Sequence, residues 1–160
     1  MNGVAADGEA AGTVRRGLSA AWDRASGAER VGQAVTLAVL LGLVALGLAL
    51  EPSPAGAGTH CQLGLPPCGM LETTGLPCPT CGVTTAFCLA VRGRLAEALV
   101  TQPFGLALFL LVAGGGLGLA AALATGRSVR PVLTPWTLAT AGVALMLLLL
   151  GSWTYKLATA

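Results

Sequence analysis

The chain has 160 residues, of which 10% are charged and 54% are hydrophobic, with a formal net charge of +2 and a mean hydropathy of +0.77. Soluble domains carry about 25% charged residues, so this chain has too few polar side chains to cover a soluble surface. The small, scattered positive charge and the 4% of aromatic residues argue against a nucleic-acid partner bound through a basic patch or base stacking.

The N-terminal arm, residues 1–30, is predicted to lie outside the membrane. Residues 1–12 are small, polar and weakly acidic, which is typical of disorder. Further along the arm, Leu18 and Trp22 share one helical face that is flanked by arginines. This pattern fits a short interfacial helix on a membrane surface, and it fits a solvated linker equally well.

Three uncharged, apolar segments follow and define a membrane domain over residues 31–160. They cover about residues 31–50, 103–124 and 136–153. Each is close to the length of about 20 residues that a helix needs to cross the hydrocarbon core. Backbone groups in lipid must find partners within their own segment, so each segment must be helical. The sequence therefore predicts an all-α integral membrane protein with three transmembrane helices. The first segment is too long for a signal-peptide core, although Ala55-Gly56-Ala57 leaves cleavage after it as an alternative.

Residues 51–102 join the first two spans and hold every cysteine of the chain: Cys61, Cys68, Cys78, Cys81 and Cys88. Because Pro79 suits the first position of a helix, we predict a helix from about Pro79 to Arg92, with Cys78 as its N-cap and Cys81 in its first turn. A second short helix is predicted from Arg94 to about Thr101. Both are expected to be amphipathic and to lie at the membrane surface beside the Cys-rich loop.

The arginines and the lysine predict the orientation. Six lie in the N-terminal arm and in the loop after the second span: Arg15, Arg16, Arg24, Arg30, Arg127 and Arg130. Three lie on the other side: Arg92, Arg94 and Lys156. The positive-inside rule then places the N-terminus and the 125–135 loop in the cytoplasm, and the cysteine loop outside it. Arg92 and Arg94 run against this rule.

Small residues recur every four positions in the first two spans. The first stripe comprises Ala34, Ala38 and Gly42, and the second comprises Gly114, Gly118, Ala122 and Gly126. Such stripes let helix backbones approach closely in lipid. They predict either the contact between spans one and two or a contact with a second copy or another membrane protein. No ionisable side chain lies inside a span, which argues against an ion pump or coupled transporter.

The cysteines fit two structural roles. In an oxidising compartment they pair as disulfides, and the candidates are Cys61, Cys68, Cys78 and Cys81, with Cys88 left over. As metal ligands, Cys68, Cys78 and Cys81 supply three thiolates to a zinc ion. The candidates for the fourth ligand are His60, Cys61 and Cys88. His60 is the only histidine of the chain.

The same cysteines also fit a catalytic role. Cys78-Pro79-Thr80-Cys81 has the spacing of a redox C-x-x-C pair, which favours a low thiol pKa at a helix N-terminus. In a thiol–disulfide oxidoreductase, Cys78 would be the attacking thiol and Cys81 the resolving thiol. The chain shows none of the βαβ pattern that accompanies this motif in thioredoxin-like folds.

The region from about residue 68 to residue 125 resembles the bacterial membrane proteins of domain of unknown function family 2752. The matching residues are Cys68, Thr74, Gly75, Pro77, Cys78, Pro79, Cys81, Gly82, Thr84, Ala86, Gly93 and Pro103. There are two departures, because the arginine of the family pattern is Thr85 here and its asparagine is Gln102. The resemblance implies a small multi-pass protein of the bacterial cytoplasmic membrane and no established activity.

Two functions are compatible with these features. The one we favour is non-enzymatic: a small membrane scaffold or accessory subunit whose extracytoplasmic loop is locked by cysteine crosslinks or by a bound metal, with zinc as the candidate. The alternative is a membrane thiol–disulfide oxidoreductase that uses Cys78 and Cys81. The expected partners are the lipid bilayer and, through the small-residue stripes, a second copy or another membrane protein.

Overall fold

A computed structural model describes residues 24–130 and 132–159 of the chain. All regular elements of these residues are helices. Their only β pairing is an isolated bridge between Arg24 and Arg127. The expected disorder of residues 1–12 and the expected interfacial position of Leu18 and Trp22 lie outside the described residues. The predicted fold class is confirmed.

Six α-helices and one 3-10 turn follow one another in the described chain. The helices are α1 (Gly27–Ala49), α2 (Gly69–Thr74), α3 (Val83–Val91), α4 (Leu95–Thr101), α5 (Pro103–Thr125) and α6 (Pro135–Thr159), and the 3-10 turn is Thr59–Leu63. Helices α1, α5 and α6 are long and apolar enough to cross a membrane. At a rise of about 1.5 Å per residue they are roughly 35 Å long, which exceeds a hydrocarbon core of about 30 Å.

The local sequence explains where two of the long helices, α1 and α5, begin. The Ser26 side chain accepts the Glu29 N–H at 3.3 Å and caps α1, with Glu29 placed in the first turn. Pro103 opens α5 at a position where its missing N–H is not needed. Helix α6 continues six residues beyond the predicted end at Trp153, to Thr159. Lys156, which the sequence placed in a tail, is therefore part of the third span.

Helix α5 is the central element. It packs against α1, α3, α4 and α6, whereas α6 packs along α5 and reaches α4 through the Lys156 side chain. The buried cluster at this centre joins α3 and α4 to α5 and comprises Ala86, Leu89, Ala90 and Ala98, with Leu106 and Phe109 against it. Gly105 allows the close approach, because a Cβ there would lie 2.7 Å from Ala86 Cβ. The short helices are thereby fixed on one end of the bundle.

The small-residue stripes lie beside the contact between the first two spans rather than in it. Gly115 faces Leu40 and Gly116 faces Leu37 across the α1–α5 contact, at 3.8 and 4.0 Å from an added Cβ. By contrast, Gly42, Gly114 and Gly118 have no neighbouring atom within 4 Å of an added Cβ. The prediction that these glycines form the contact between spans one and two is therefore wrong. A contact with a second copy or another protein stays a prediction.

Candidate metal centre

Three of the five cysteine sulfurs converge where α1 ends and α5 begins. The Sγ atoms of Cys68, Cys78 and Cys81 all lie within 4.8 Å of one another, and those of Cys78 and Cys81 are 3.0 Å apart. All five cysteines of the chain are free thiols in this structure. We call Cys68, Cys78 and Cys81 the cysteine triad. Its members are the three residues that the sequence assigned to a metal site.

Cys68 reaches the triad from a segment that has little packing of its own. It is the N-cap residue of α2, a helix of six residues without a buried residue. Helix α2 contacts none of the other described helices. Leu65, Leu71 and Leu76 in and around it remain 37–52% exposed. Apolar burial therefore contributes little to holding this segment, although the sulfur of Cys68 lies within 4.8 Å of those of Cys78 and Cys81.

Cys78 and Cys81 lie on a turn that precedes α3. The Cys81 N–H donates to the Cys78 carbonyl at 3.0 Å, and the Val83 N–H donates to the Thr80 carbonyl at 3.1 Å. Gly82 then adopts a φ of +89°, so the chain leaves the helical conformation just before α3 begins at Val83. The prediction of a helix from Pro79 with Cys78 as N-cap is wrong for this reason. The triad lies on a turn and on the start of α2, not on the first turn of α3.

Three side chains from distant parts of the chain hold this turn by its backbone. The carbonyl of Pro77 accepts from Trp153 Nε1, that of Pro79 from Gln102 Nε2, and that of Cys81 from Lys156 Nζ; each bond is 2.9 Å long. These anchors were missed from the sequence. In the sequence, Trp153 ends the third apolar segment and Lys156 follows it, and no local pattern connects either residue to the cysteines.

Lys156 joins two further backbone segments to the turn. Its Nζ lies 3.4 Å from the carbonyl oxygens of Gly56 and Thr101, in addition to its bond to Cys81. One ammonium group thus links α6 to the loop that follows α1, to the cysteine turn and to the end of α4. The positive charge also lies close to the triad, where thiolates would form.

Two thiols of the triad differ in acidity. The Leu71 N–H, followed by the Cys81 and Cys78 thiols, lowers the pKa of Cys68 to about 7. The Leu71 N–H acts here as a nearby partial charge, because it falls short of a capping hydrogen bond. Burial, followed by the hydrogen bonds with Cys78 and Cys68, raises the pKa of Cys81 to about 12. Cys68 therefore ionises at a lower pH than Cys81, and a metal ion bound by both thiolates would have to displace the proton of Cys81.

In the metal-free protein we expect the alkylation of Cys68 to follow a different pH profile from that of Cys81. The thiolate is the nucleophile, so the rate at Cys68 should rise between about pH 6 and pH 8 and then level off. The rate at Cys81 should still be rising at about pH 9, because its pKa is much higher. Mass spectrometry of iodoacetamide-labelled peptides measures both profiles, and the shape of each profile separates acidity from exposure. Two parallel profiles would contradict this order of ionisation.

Among the described residues, the metal-binding atoms of Cys61, Cys88 and His60 are not grouped with the three sulfurs of the triad. His60 Nε2 lies 3.2 Å from the Pro66 carbonyl oxygen and 3.9 Å from Cys61 Sγ. Cys88 is fully buried within α3, where burial raises its thiol pKa against the opposing effect of Arg92. The structure thus brings together the sulfurs of the three cysteines that every predicted ligand set contains. The assignment of the fourth ligand to His60, Cys61 or Cys88 stays a prediction.

The two departures from the family pattern are both buried beside the cysteine turn. Thr85 is 1% exposed, and its Oγ1 lies 2.8 Å from that of Thr59, which in turn accepts the Ser53 N–H at 2.9 Å. Gln102 is fully buried and donates to the Pro79 carbonyl. In this chain both positions therefore tie the loop to the bundle through neutral hydrogen bonds.

Replacing Gly82 by alanine should destabilise the turn by about 3 kcal/mol. A left-handed φ alone costs an alanine about 1–2 kcal/mol, and the added Cβ would also meet Lys156 Nζ and lie 2.6 Å from the Gly56 carbonyl oxygen. Gly75→Ala is the matched control, because Gly75 has a φ of +72° but open space around it. Thermal unfolding in detergent compares the two variants. Equal losses would show that the contacts of Gly82 contribute nothing.

The triad fits a soft metal ion. In a tetrahedral site with Zn–S bonds of about 2.3 Å, the sulfurs are about 3.8 Å apart. The separation of 3.0 Å between Cys78 and Cys81 and the upper limit of 4.8 Å lie on either side of this value. Small side-chain rotations therefore suffice to reach the ligand geometry. Three thiolates suit zinc or a monovalent copper ion, and no hard cation prefers them.

Residues 68–115 match the model of a family described as "Protein of unknown function (DUF2752)". The predicted family resemblance is confirmed. The matched region contains the whole triad, helices α2, α3 and α4, and the first half of α5. No curated protein and no solved structure matches the chain.

Proposed function

We propose that the protein is a small membrane scaffold or accessory subunit whose loop between the first two spans is locked by a metal ion on Cys68, Cys78 and Cys81. The observation that carries this proposal is the convergence of the three sulfurs within 4.8 Å. A disulfide uses two sulfurs, whereas a metal ion uses all three. The weakly packed α2 segment gains a link to the bundle when Cys68 shares an ion with the turn.

Zinc is the ion we propose. It takes four ligands, so three thiolates leave one position for water, for another side chain of the loop or for a donor from a partner protein. Binding displaces the proton that Cys81 otherwise holds, and the Lys156 ammonium offsets part of the negative charge of the thiolates. Because a structural metal stabilises the folded loop, the zinc-bound protein should resist unfolding more than the metal-free protein.

Zinc content of the purified chain tests this proposal. Native mass spectrometry and metal analysis in detergent, without chelator, should give one zinc per chain for the unaltered protein and for Thr73→Val. Cys68→Ser and Cys78→Ser should bind zinc at least about tenfold more weakly. Thr73 is the matched control, because it is exposed on α2 and its hydroxyl donates within that helix to the Gly69 carbonyl. Absence of zinc from the unaltered protein, or equal zinc affinity in all four proteins, would sink the proposal.

A second function is supported by one distance. The sulfurs of Cys78 and Cys81 are 3.0 Å apart, so these thiols need little movement to form a disulfide. In this alternative a Cys78 thiolate attacks a substrate disulfide, one substrate thiol leaves, and Cys81 displaces the other. The protein pair is then oxidised by two electrons and the substrate disulfide is reduced. In this case Cys81→Ser should accumulate mixed disulfides with other proteins, and Cys61→Ser should not.

We also propose that the cysteine loop faces the extracytoplasmic side of a bacterial cytoplasmic membrane, with the 125–135 loop in the cytoplasm. The positive-inside rule supports this orientation. Arg92 weighs less against it, because its guanidinium binds backbone carbonyls of the protein. Labelling of intact cells with a membrane-impermeant reagent at a cysteine introduced at Val132, which is 58% exposed, or at Glu72, which is also exposed, distinguishes the two faces when peptide mass spectrometry separates the new cysteine from the native ones. Labelling at position 132 but not at 72 would reverse the orientation.

A further inference from the structure

A groove between α1 and α5 opens at the end of the bundle away from the cysteine triad. Its volume is about 800 Å³, within the range of about 300–1,000 Å³ that is typical of small-ligand sites. The lining from the two helices is mainly small or apolar and includes Gly32, Thr36, Gly114, Gly118 and Leu119. Val132 and Leu133, in the segment that leads to α6, close one side. No residue of α6 lines this space, so the third span does not fill it in the described chain.

One end of the groove is polar and holds an unsatisfied buried group. Gln33 is 4% exposed, and its Nε2 donates to the Arg127 carbonyl at 3.2 Å. Its Oε1 is buried and accepts no hydrogen bond in the described structure. A buried acceptor without a partner costs about 1–3 kcal/mol unless something supplies a donor. The groove therefore combines an apolar length with a hydrogen-bond acceptor near its charged end.

The charges around this end are predominantly positive. Four arginines of the described chain lie at this end of the bundle: Arg24, Arg30, Arg127 and Arg130. Its one described acidic residue is Glu29, whose carboxylate accepts from Ser128 Oγ at 2.5 Å and lies 3.7 Å from Arg130 Nε. The Arg130 side chain is nonetheless 81% exposed. An anion at the mouth of the groove would meet an accessible guanidinium.

From these features we propose that the groove binds one anionic phospholipid. An acyl chain lies against the glycines and leucines, the phosphate pairs with Arg130, and a hydroxyl of the headgroup, such as that of phosphatidylglycerol, donates to Gln33 Oε1. The arginines lie at helix ends and therefore at the depth of the lipid headgroups. Gly114 and Gly118 lie two to three turns before the C-terminal end of α5, towards the middle of the bilayer. Basic pockets between membrane helices recognise anionic headgroups by this combination of charge and apolar depth. The site is independent of the proposed metal centre.

Two variants test the two halves of the site. Gly118→Leu adds a side chain to the groove, and its Cβ is accommodated because an added Cβ at Gly118 meets no atom within 4 Å. Gly142→Leu is the matched control on α6, where an added Cβ also meets nothing and no groove residue is altered. Arg130→Gln removes the exposed charge at the mouth. Each protein is reconstituted in vesicles of equal phosphatidylglycerol and phosphatidylethanolamine, extracted gently and examined by native mass spectrometry.

The expected result is one retained phosphatidylglycerol per chain in the unaltered protein and in Gly142→Leu, and loss of that lipid in Gly118→Leu. Arg130→Gln should lower the preference for phosphatidylglycerol about fivefold, the value of one arginine at a membrane surface. The absence of retained lipid, or equal retention by Gly118→Leu, would overturn the proposal. So would a lipid-free dimer that Gly118→Leu separates, because a second copy would then occupy the groove.

Discussion

Arg92→Met should lower the free energy of unfolding by about 3 kcal/mol and loosen the end of the first span. The guanidinium donates to the carbonyls of Gly47, Leu48 and Leu50 at 2.7 Å and to that of Cys88 at 2.9 Å. The last carbonyls of a helix have no partner within it, and a cation at this end also complements the helix dipole. Hydrogen bonds to charged groups contribute about 1.5–3 kcal/mol each, with part of the loss recovered by water.

Arg94→Met is the control for this variant. Arg94 lies two residues away and makes an ion pair with Glu97 in which both side chains are about half exposed. Exposed pairs contribute about 0–1 kcal/mol, so Arg94→Met should unfold close to the unaltered protein. Thermal and denaturant unfolding in the same detergent give both values. If the two variants lose equal stability, the four carbonyl contacts of Arg92 are not what fixes the end of α1.

Lys156→Met should detach the third span from the cysteine turn. Methionine has a similar length but no donor, so the contacts to Cys81, Gly56 and Thr101 are lost together. The expected loss of stability is about 1.5–3 kcal/mol. Zinc binding should weaken about 10–100-fold, because the backbone that carries Cys81 loses its support. Calorimetry in detergent measures the first effect, and competition with a zinc chelator measures the second.

Thr154→Val provides the comparison on the same helix. The Thr154 hydroxyl donates within α6 to the Gly151 carbonyl at 2.8 Å, and the residue is exposed. It should therefore change neither stability nor zinc affinity appreciably. A Lys156→Met protein that is destabilised but binds zinc normally would separate the two roles, and it would show that Lys156 holds α6 without positioning the triad.

The parts of the fold that could be predicted are those with a local cause. Runs of about 20 apolar residues can only be helices in lipid, so the three spans followed from composition. The short helix α4 begins one residue after its predicted start at Arg94, because Gly93 ends the preceding turn. The grouping of Cys68, Cys78 and Cys81 as metal ligands rested on soft-ligand chemistry and spacing, and the three sulfurs do lie together.

The parts that could not be predicted depend on contacts across long stretches of sequence. The anchors Gln102, Trp153 and Lys156 lie 23, 76 and 75 residues from the carbonyls that they bind. The periodicity of hydrophobic residues along the chain does not predict hydrogen bonds between residues so far apart. The helix expected at Pro79 was plausible from local signals, since proline and a potential capping residue were in place. The left-handed conformation of Gly82 overrode them, and a glycine permits this conformation without requiring it, so the residue alone did not predict the break.

Arg92 shows how a structural role can resemble a topological signal. Its charge was counted against the predicted orientation, yet the guanidinium is directed to the last carbonyls of α1 rather than to solvent. A rule based on counting charges treats every arginine as a free charge. Where an arginine satisfies backbone acceptors at a helix end, its position is determined by that helix and carries less information about the side of the membrane.

The attachment of the cysteine turn to α6 has a consequence for biogenesis. A chain is synthesised from its N-terminus, so Cys81 leaves the ribosome 75 residues before Lys156, and Pro77 leaves it 76 residues before Trp153. During that interval two of the three carbonyl anchors of the cysteine turn do not yet exist. The anchored geometry of the turn is therefore complete only after the third span has been synthesised.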